Sequence, residues 1–343
     1  MQVLRTFLVL CALGCSLLVQ AEPAQHWNVG LHRMSIPDPL DGQPMQVLAF
    51  YPSTGEPHVR RIDGYRLYVA AEAPVVMGRF PLLALSHGNT GTPMALHDLA
   101  SALARRGFVV VAAVHPGDNN KDHSRLGTIS NLYGRPLQIS AAITAALDDP
   151  LLSPYVSGDQ VGMIGYSAGA ETALILSGAR PDLQRLRRYC EERPLDADAC
   201  SRHGEVIADR DDLLPEPDPR IRALLLMAPL SLSFGRQALA EVQVPSLIYS
   251  GDHDQLLAVD KNAEALARKL PVTPNYRSLQ GAGHFVFMSP CDDNQRARMP
   301  ALCNDPDGVD RVGIHISLQS EATRFFNRAL GVSSRAGLHT ADQ

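Results

Sequence analysis

One short stretch limits what this chain can fold into more than any other. An apolar run at 161–164 meets Gly165-Tyr166-Ser167-Ala168-Gly169, and Ala-Glu-Thr-Ala-Leu-Ile-Leu follows directly. The first part reads as a buried strand and the last as a helix. Between them the G-x-S-x-G pentapeptide has to reverse the chain within a few residues, which leaves Ser167 on a strained backbone with its hydroxyl exposed. Side chains two places before and two places after the serine would collide, so both positions are glycine. The helix that follows aims free N–H groups and the positive end of its dipole at whatever reacts there. The five letters alone are a moderate signal. Set between a strand and a helix, they mark Ser167 as a candidate nucleophile.

The rest of the chain repeats the same alternation. Apolar runs at 80–86, 108–114, 221–229 and 244–250, with a further strand at 275–279, are separated by helical patterns at 95–106, 137–147, 259–269 and 316–329. Continuous apolar strands alternating with helices predict an α/β fold, a mostly parallel central sheet with helices on both faces. Residues 27–74 alternate more and carry turn punctuation, with strands at 46–51 and 65–70, which suits an antiparallel edge to that sheet. Residues 180–220 are rich in Arg, Asp, Glu and Pro and cannot supply a core strand. They read as an insertion after the nucleophile helix, either a partial lid or a surface excursion. Residues 119–134 show no readable pattern.

A serine hydroxyl needs a base within hydrogen-bond reach, itself oriented by a third group. Two loops that follow late strands offer these, Gly251-Asp252-His253-Asp254 and Gly281-Ala282-Gly283-His284. Nucleophile, acid and histidine in that chain order, each at the end of a strand, single out Ser167, Asp254 and His284. Asp252 is the rival acid. Asp254 is preferred because G-x-x-D carries its carboxylate past the strand end. The loop at 87–91 follows an early strand, so the backbone N–H of Asn89, with that of Ala168, is the candidate oxyanion donor pair. His87 precedes the nucleophile and suits a supporting or core role. No metal-ligand spacing and no nucleotide-binding loop occur, so neither a metal nor a cofactor is expected. A formal net charge of −5 and the lack of basic runs argue against nucleic acid or an anionic membrane surface as partner.

Residues 1–21 read as a secretory signal: Arg5, an apolar segment at 6–19, then Val19-Gln20-Ala21 with small residues where a peptidase cuts. The expected mature domain is 22–332, followed by a disordered tail at 333–343. The apolar segment is too short for a transmembrane helix, and none is expected later. Cys15 is a minor candidate for lipid attachment, disfavoured because Leu-Leu-Val continues past it. Export to the periplasm or medium permits disulfides, and the four later cysteines fall into two close pairs, Cys190 with Cys200 and Cys291 with Cys303. A zinc site is disfavoured, since C-x-x-C spacing and patterned histidines are missing.

Four motifs together, Ser86-His-Gly-Asn-Thr-Gly91, His115-Pro-Gly-Asp118, Gly165-Tyr-Ser-Ala-Gly169 and Gly281-Ala-Gly-His-Phe285, resemble the predicted dienelactone-hydrolase group of bacteria. That group is similar to platelet-activating-factor acetylhydrolases, and the resemblance runs over residues 29–329. It implies an α/β-hydrolase fold and an exported serine hydrolase acting on carboxylic esters, with a small-molecule ester or lipid as substrate. By position it makes Ser167 the nucleophile, His284 the base, and Asn89 and Ala168 the oxyanion donors. Two departures stand out. True dienelactone hydrolases have cysteine where this chain has Ser167. The acetylhydrolases take their acid from the preceding strand, which here exits through Ala228-Pro-Leu-Ser-Leu-Ser233 without a carboxylate, so Asp254 rests on the general fold pattern. Amide hydrolysis by the same residues and a non-catalytic binding protein on this scaffold are the alternatives.

Overall fold

The computed structural model describes residues 26–196, 200 and 204–332. The expected signal segment, Cys15 and the tail at 333–343 lie outside the described residues. The strands are β1 (Asn28–Pro37), β2 (Pro44–Ser53), β3 (His58–Ile62), β4 (Tyr65–Ala71), β5 (Phe80–Ser86), β6 (Val109–Ala113), β7 (Val156–Tyr166), β8 (Ile221–Met227), β9 (Ser246–Gly251) and β10 (Asn275–Leu279). They form one sheet in the order β10-β9-β8-β7-β5-β6-β2-β1-β4-β3. From β10 to β6 every neighbour is parallel. β2 then joins β6 antiparallel, and β1 joins β2 antiparallel. The antiparallel edge is more mixed than its sequence suggests. β1 runs parallel to β4, and β3 hangs on the end of β4. β3, His-Val-Arg-Arg-Ile, is solvent-facing along nearly its whole length, so it has no apolar alternation by which to be recognised.

Both faces of the central strands are buried, which explains why these strands read as unbroken apolar runs. On β5, Leu83 and Leu85 face one side, where α1 (His97–Arg105) and α8 (Arg311–Ala329) pack through Leu99, Leu103, Leu318 and Phe326. Leu82 and Ala84 face the other, against α2 (Ile129–Asp148), α3 (Ala168–Leu176) and α5 (Ala263–Lys269). Successive side chains thus point to opposite faces and meet different helices.

Several boundaries differ from the sequence reading; α5, for one, begins at Ala263 and not at 259. α2 begins eight residues before 137, because Gly134 and Pro136 look like breaks but are accommodated inside it. Gly134 is where the helix lies on Leu40; a Cβ there would come within 2.5 Å of Leu40 Cδ2. β7 starts five residues before 161, and its register against β5 shifts between Ser157 and Val161. α8 starts at Arg311, where the Asp310 carboxylate accepts from the Gly313 N–H and caps the helix.

The insertion carries its own helix, α4 (Leu183–Glu192), and a disulfide joins Cys190 to Cys200. Its return limb is stitched to the start of α2. The Ile129 N–H donates to the Ile207 carbonyl, and the Ile207 N–H donates to that of Gly127, both at 2.9 Å. A second disulfide, Cys291–Cys303, closes the segment holding α6 (Asp293–Arg298) and α7 (Pro300–Cys303). A cross-link over so short a loop restricts the unfolded chain by about 2–3 kcal/mol. The double substitution Cys291→Ser/Cys303→Ser is therefore expected to lower unfolding free energy by about that amount, measured by urea denaturation. An unchanged midpoint would show that the bridge does not constrain the unfolded chain.

Candidate active site

Ser167 sits between the end of β7 and the first residue of α3 with φ 55° and ψ −118°. A non-glycine residue there costs about 1–3 kcal/mol. Its backbone is held on both sides. The Ser167 N–H donates to the Met227 carbonyl at 2.9 Å, and the Ser167 carbonyl accepts from Ala170 at 2.9 Å and Leu230 at 3.2 Å. The two flanking glycines are required by close approach of backbone. A Cβ on Gly165 would lie 2.4 Å from the Gly169 carbonyl oxygen, and one on Gly169 would lie 2.0 Å from that of Ser86.

The loops after β9 and β10 bring the other two groups to this serine. His284 opens a short 3₁₀ turn, His284–Phe287, and is almost fully buried. Its Nε2 lies 3.0 Å from Ser167 Oγ, and its Nδ1 lies 2.7 Å from Asp254 Oδ2. Asp254 Oδ1 accepts from the Leu256 and Leu257 N–H groups at 2.9 and 2.8 Å, which holds the carboxylate in place. Asp252, the rival acid, turns away and accepts from the Gly281 N–H at 2.6 Å. The histidine turn is clamped from behind by residues the sequence did not flag. The His315 ring on α8 is paired with Asp98 and lies 2.8 Å from the Val286 carbonyl, and Gln255 Oε1 accepts from the His284 N–H at 3.2 Å.

Asn89 and Thr90 lie on the loop after β5, facing Ser167 across the same cleft. Among the described residues, neither the Asn89 N–H nor the Ala168 N–H has a hydrogen-bond acceptor. The loop itself is fixed from below by a buried ion pair. Arg135 and Asp118 are 3% and 0% exposed, and Nη1 of the first donates to Oδ2 of the second at 2.6 Å. Asp118 also accepts from the Thr90 N–H at 2.6 Å, and Arg135 donates to the His87 carbonyl and, at 3.0 Å, to Ser86 Oγ. Burial alone would raise the Asp118 carboxyl, but the Arg135 guanidinium and the Thr90 N–H hold it below the ordinary carboxylate range. His87 is buried beside this pair and does not approach Ser167 Oγ with a hydrogen bond. Burial and the neighbouring guanidinium push it down to about 4, so it is neutral and accepts from the His115 N–H at 3.4 Å.

The cleft in front of Ser167 has a volume of about 680 Å³ and is walled by Leu230, Leu256, Leu257, Phe285, Met288 and Leu302. Leu126 and Gly127, from the stretch without a readable pattern, also line it, and so does Glu205 of the insertion. Residues 180–220 therefore do reach the cleft. Among the described residues no cluster of His, Cys, Asp and Glu is large enough to hold a metal ion, and no helix is long and apolar enough to cross a membrane.

No protein-family profile matches this chain. Two curated relatives, the cutinases est2 and est1 of Thermobifida alba, align with it at 23% and 24% identity over 208 residues. The alignments take in 60% of this chain, and it spans about half the length of these relatives, 52% and 53%. Among solved structures, a ferulic acid esterase from Streptomyces cinnamoneus matches with a TM-score of 0.63 at 18% identity, over 94% of this chain and 96% of that one. The fold is that of an α/β hydrolase. The ends of β5, β7, β9 and β10 supply Asn89, Ser167 with Ala168, Asp254 and His284.

One further carboxyl lies at this end of the sheet. Glu171 stands one turn along α3 from Ser167, half-buried, and lines a smaller pocket beside the cleft. Burial pushes it up to about 7, against weaker opposing effects of Ser233 and Arg135. The folded protein therefore keeps this proton to a higher pH than the unfolded chain does, and its contribution to stability falls as pH rises from about 4.5 to about 7. Glu171→Gln removes that titration. The melting temperature of the variant relative to the parent is expected to climb between pH 4.5 and pH 8; an offset that stays constant across this range would refute the shift. Gly169→Ala should cost about 1–3 kcal/mol or more by overpacking, read from thermal unfolding, and a variant as stable as the parent would mean that the elbow can relax.

Proposed function

We propose that this protein is an exported serine hydrolase that cleaves carboxylic esters through an acyl-enzyme, with Ser167, His284 and Asp254 as its triad. The observation that carries the reading is the unbroken chain from Ser167 Oγ to His284 Nε2 at 3.0 Å and from His284 Nδ1 to Asp254 Oδ2 at 2.7 Å. In acylation, Oγ attacks the ester carbonyl carbon while its proton passes to Nε2. The oxyanion that forms is met by the Asn89 and Ala168 N–H groups at the positive end of α3. The imidazolium then gives the same proton to the departing alkoxide. Water then enters, loses a proton to Nε2 as its oxygen attacks the acyl carbon, and the C–Oγ bond breaks as Nε2 returns that proton to Ser167 Oγ and the acid leaves. Asp254 keeps Nδ1 protonated and offsets the positive ring in both halves.

The cutinase relatives and the ferulic acid esterase neighbour support ester rather than amide cleavage. The four sequence motifs support descent alongside the dienelactone-hydrolase-like and acetylhydrolase-like proteins. Export is supported by the two disulfides. The apolar walls of the cleft favour a short-chain acyl ester, and a phospholipid-type ester is the larger substrate to test beside it.

Fluorophosphonate labelling and p-nitrophenyl acetate turnover are expected in the parent and lost in Ser167→Ala. Asp254→Asn should lower kcat by about 10⁴, whereas Asp252→Asn should keep most of it. Full turnover by Ser167→Ala would end the proposal, and a larger loss in the residue 252 variant would move the acid.

A further inference from the structure

Two buried histidines at this end of the sheet each face a carboxylate through Nδ1, and they differ in what faces Nε2. On His284 the carboxylate is that of Asp254, and the other neighbour is the Ser167 hydroxyl, which can donate. On His315, in α8, the carboxylate is that of Asp98 in α1, and the other neighbour is the Val286 carbonyl at 2.8 Å, which can only accept. A neutral imidazole has one N–H and one bare nitrogen. It satisfies the first setting and not the second, where both ring nitrogens have to donate.

We infer that His315 is a positioning residue for His284, held as an imidazolium, and that loss of its second ring proton sets the alkaline limit of turnover. The inference rests on the serine-esterase reading and adds a residue and a pH dependence to it.

The route from one ring to the other is short. Val286 lies in the turn His284–Phe287 that carries the base, and the bond from its N–H to the Gly283 carbonyl is long at 3.4 Å. The turn therefore depends on outside anchors, and Asp98 supplies two of them. Its Oδ2 holds His315, and through it the middle of the turn, while its Oδ1 accepts from Ser289 Oγ at 2.6 Å just past the turn's end. Gln319 Nε2 also donates to Oδ2, at 3.1 Å. When His315 is left with a single N–H, the charged Asp98 keeps it, and a bare Nε2 faces the Val286 oxygen. Two lone pairs then repel, and the turn that carries His284 loses its central anchor.

The surroundings favour the cation. Burial alone would push the His315 ring down, but the Asp98 carboxylate and the Val286 carbonyl raise it above its ordinary value. The Asp98 carboxyl, which burial alone would raise, is taken down to about 2 by His315 and Ser289. His97 in α1 is pushed down by burial and stays neutral. Arg311, a turn earlier in α8, opposes the cation but is itself paired with Asp305 at 2.8 Å. The turn at 284–289 offers the uncharged Val286 carbonyl and Ser289 hydroxyl. The His315 contribution is thus complete below pH 6.5 and is lost as pH climbs through the folded value. The triad itself has no such limit, since a neutral His284 remains a base at every higher pH.

The test follows p-nitrophenyl acetate turnover from pH 6 to pH 10, corrected for spontaneous hydrolysis. Ring NMR of the histidine-labelled protein runs beside it, with His315 identified as the resonance missing from His315→Gln. The ring is expected to titrate above 6.5, and kcat to fall roughly tenfold along the same curve with KM little changed. His315→Gln, which cannot donate to both oxygens, should show the low kcat throughout and no alkaline fall. Asp98→Asn should rescue: its amide donates to Nδ1 of a neutral ring, Nε2–H stays on Val286, and the higher kcat persists to alkaline pH. Glu171→Gln, which removes the other titration beside the cleft, should leave the fall in place. A His315 ring that titrates at or below 6.5 overturns the imidazolium. A kcat that holds through the ring's titration, or an Asp98→Asn enzyme that falls as the parent does, overturns the positioning role. A parent that turns over no ester while the ring titrates high brings down the esterase reading instead and leaves the charge on His315 standing.

Discussion

Where α3 leaves β7, the Cα of Gly169 comes so near the end of β5 that an added methyl carbon would sit 2.0 Å from the Ser86 carbonyl oxygen. That contact between two backbones sets the geometry of everything around it. It brings the first turn of the helix over the strand ends, forces Ser167 to φ 55°, and leaves the N–H groups at the start of α3 facing the loop after β5. The strain is tolerable because it is over-determined. The Ser167 backbone is bonded to β8 on one side and to its own helix and the β8 exit on the other.

The opposite wall needed a different device. A loop of His-Gly-Asn-Thr-Gly has few side chains with which to pack, so it is tied down by charge. Asp118 and Arg135 meet in a fully enclosed site, and between them bond the Thr90 N–H and the His87 carbonyl. Such a pair repays its desolvation only when its remaining hydrogen-bonding positions are filled. Asn131, Ser86 and Thr172 fill them. The two histidines packed against it stay neutral for the same reason, since a second cation beside a buried guanidinium would be doubly penalised.

Much of this was legible in the chain. The G-x-S-x-G turn, the two glycine-led loops at 251–254 and 281–284 and the unbroken apolar strands each have a local cause, and each is seen in one window of sequence. What stayed hidden depends on contacts between windows. Gly134 and Pro136 argue for a loop when read alone, and only the approach of Leu40 shows why the helix accepts a glycine. Arg135 lies between those two residues, so the sequence hides the partner of Asp118 even though His-Pro-Gly-Asp stands out as a motif. His315 and Glu171 look like ordinary helix-surface residues by spacing. Their importance comes from what the fold packs over them.

The sheet begins and ends in quite different ways. Its outermost strand on one side, β3, is five residues long and carries Arg60 and Arg61 in its middle. Another molecule trying to prolong the sheet there would have to stack its own guanidinium groups against these, with the backbone ladder too short to compensate. That border is thus a poor template on which a second copy could extend the sheet.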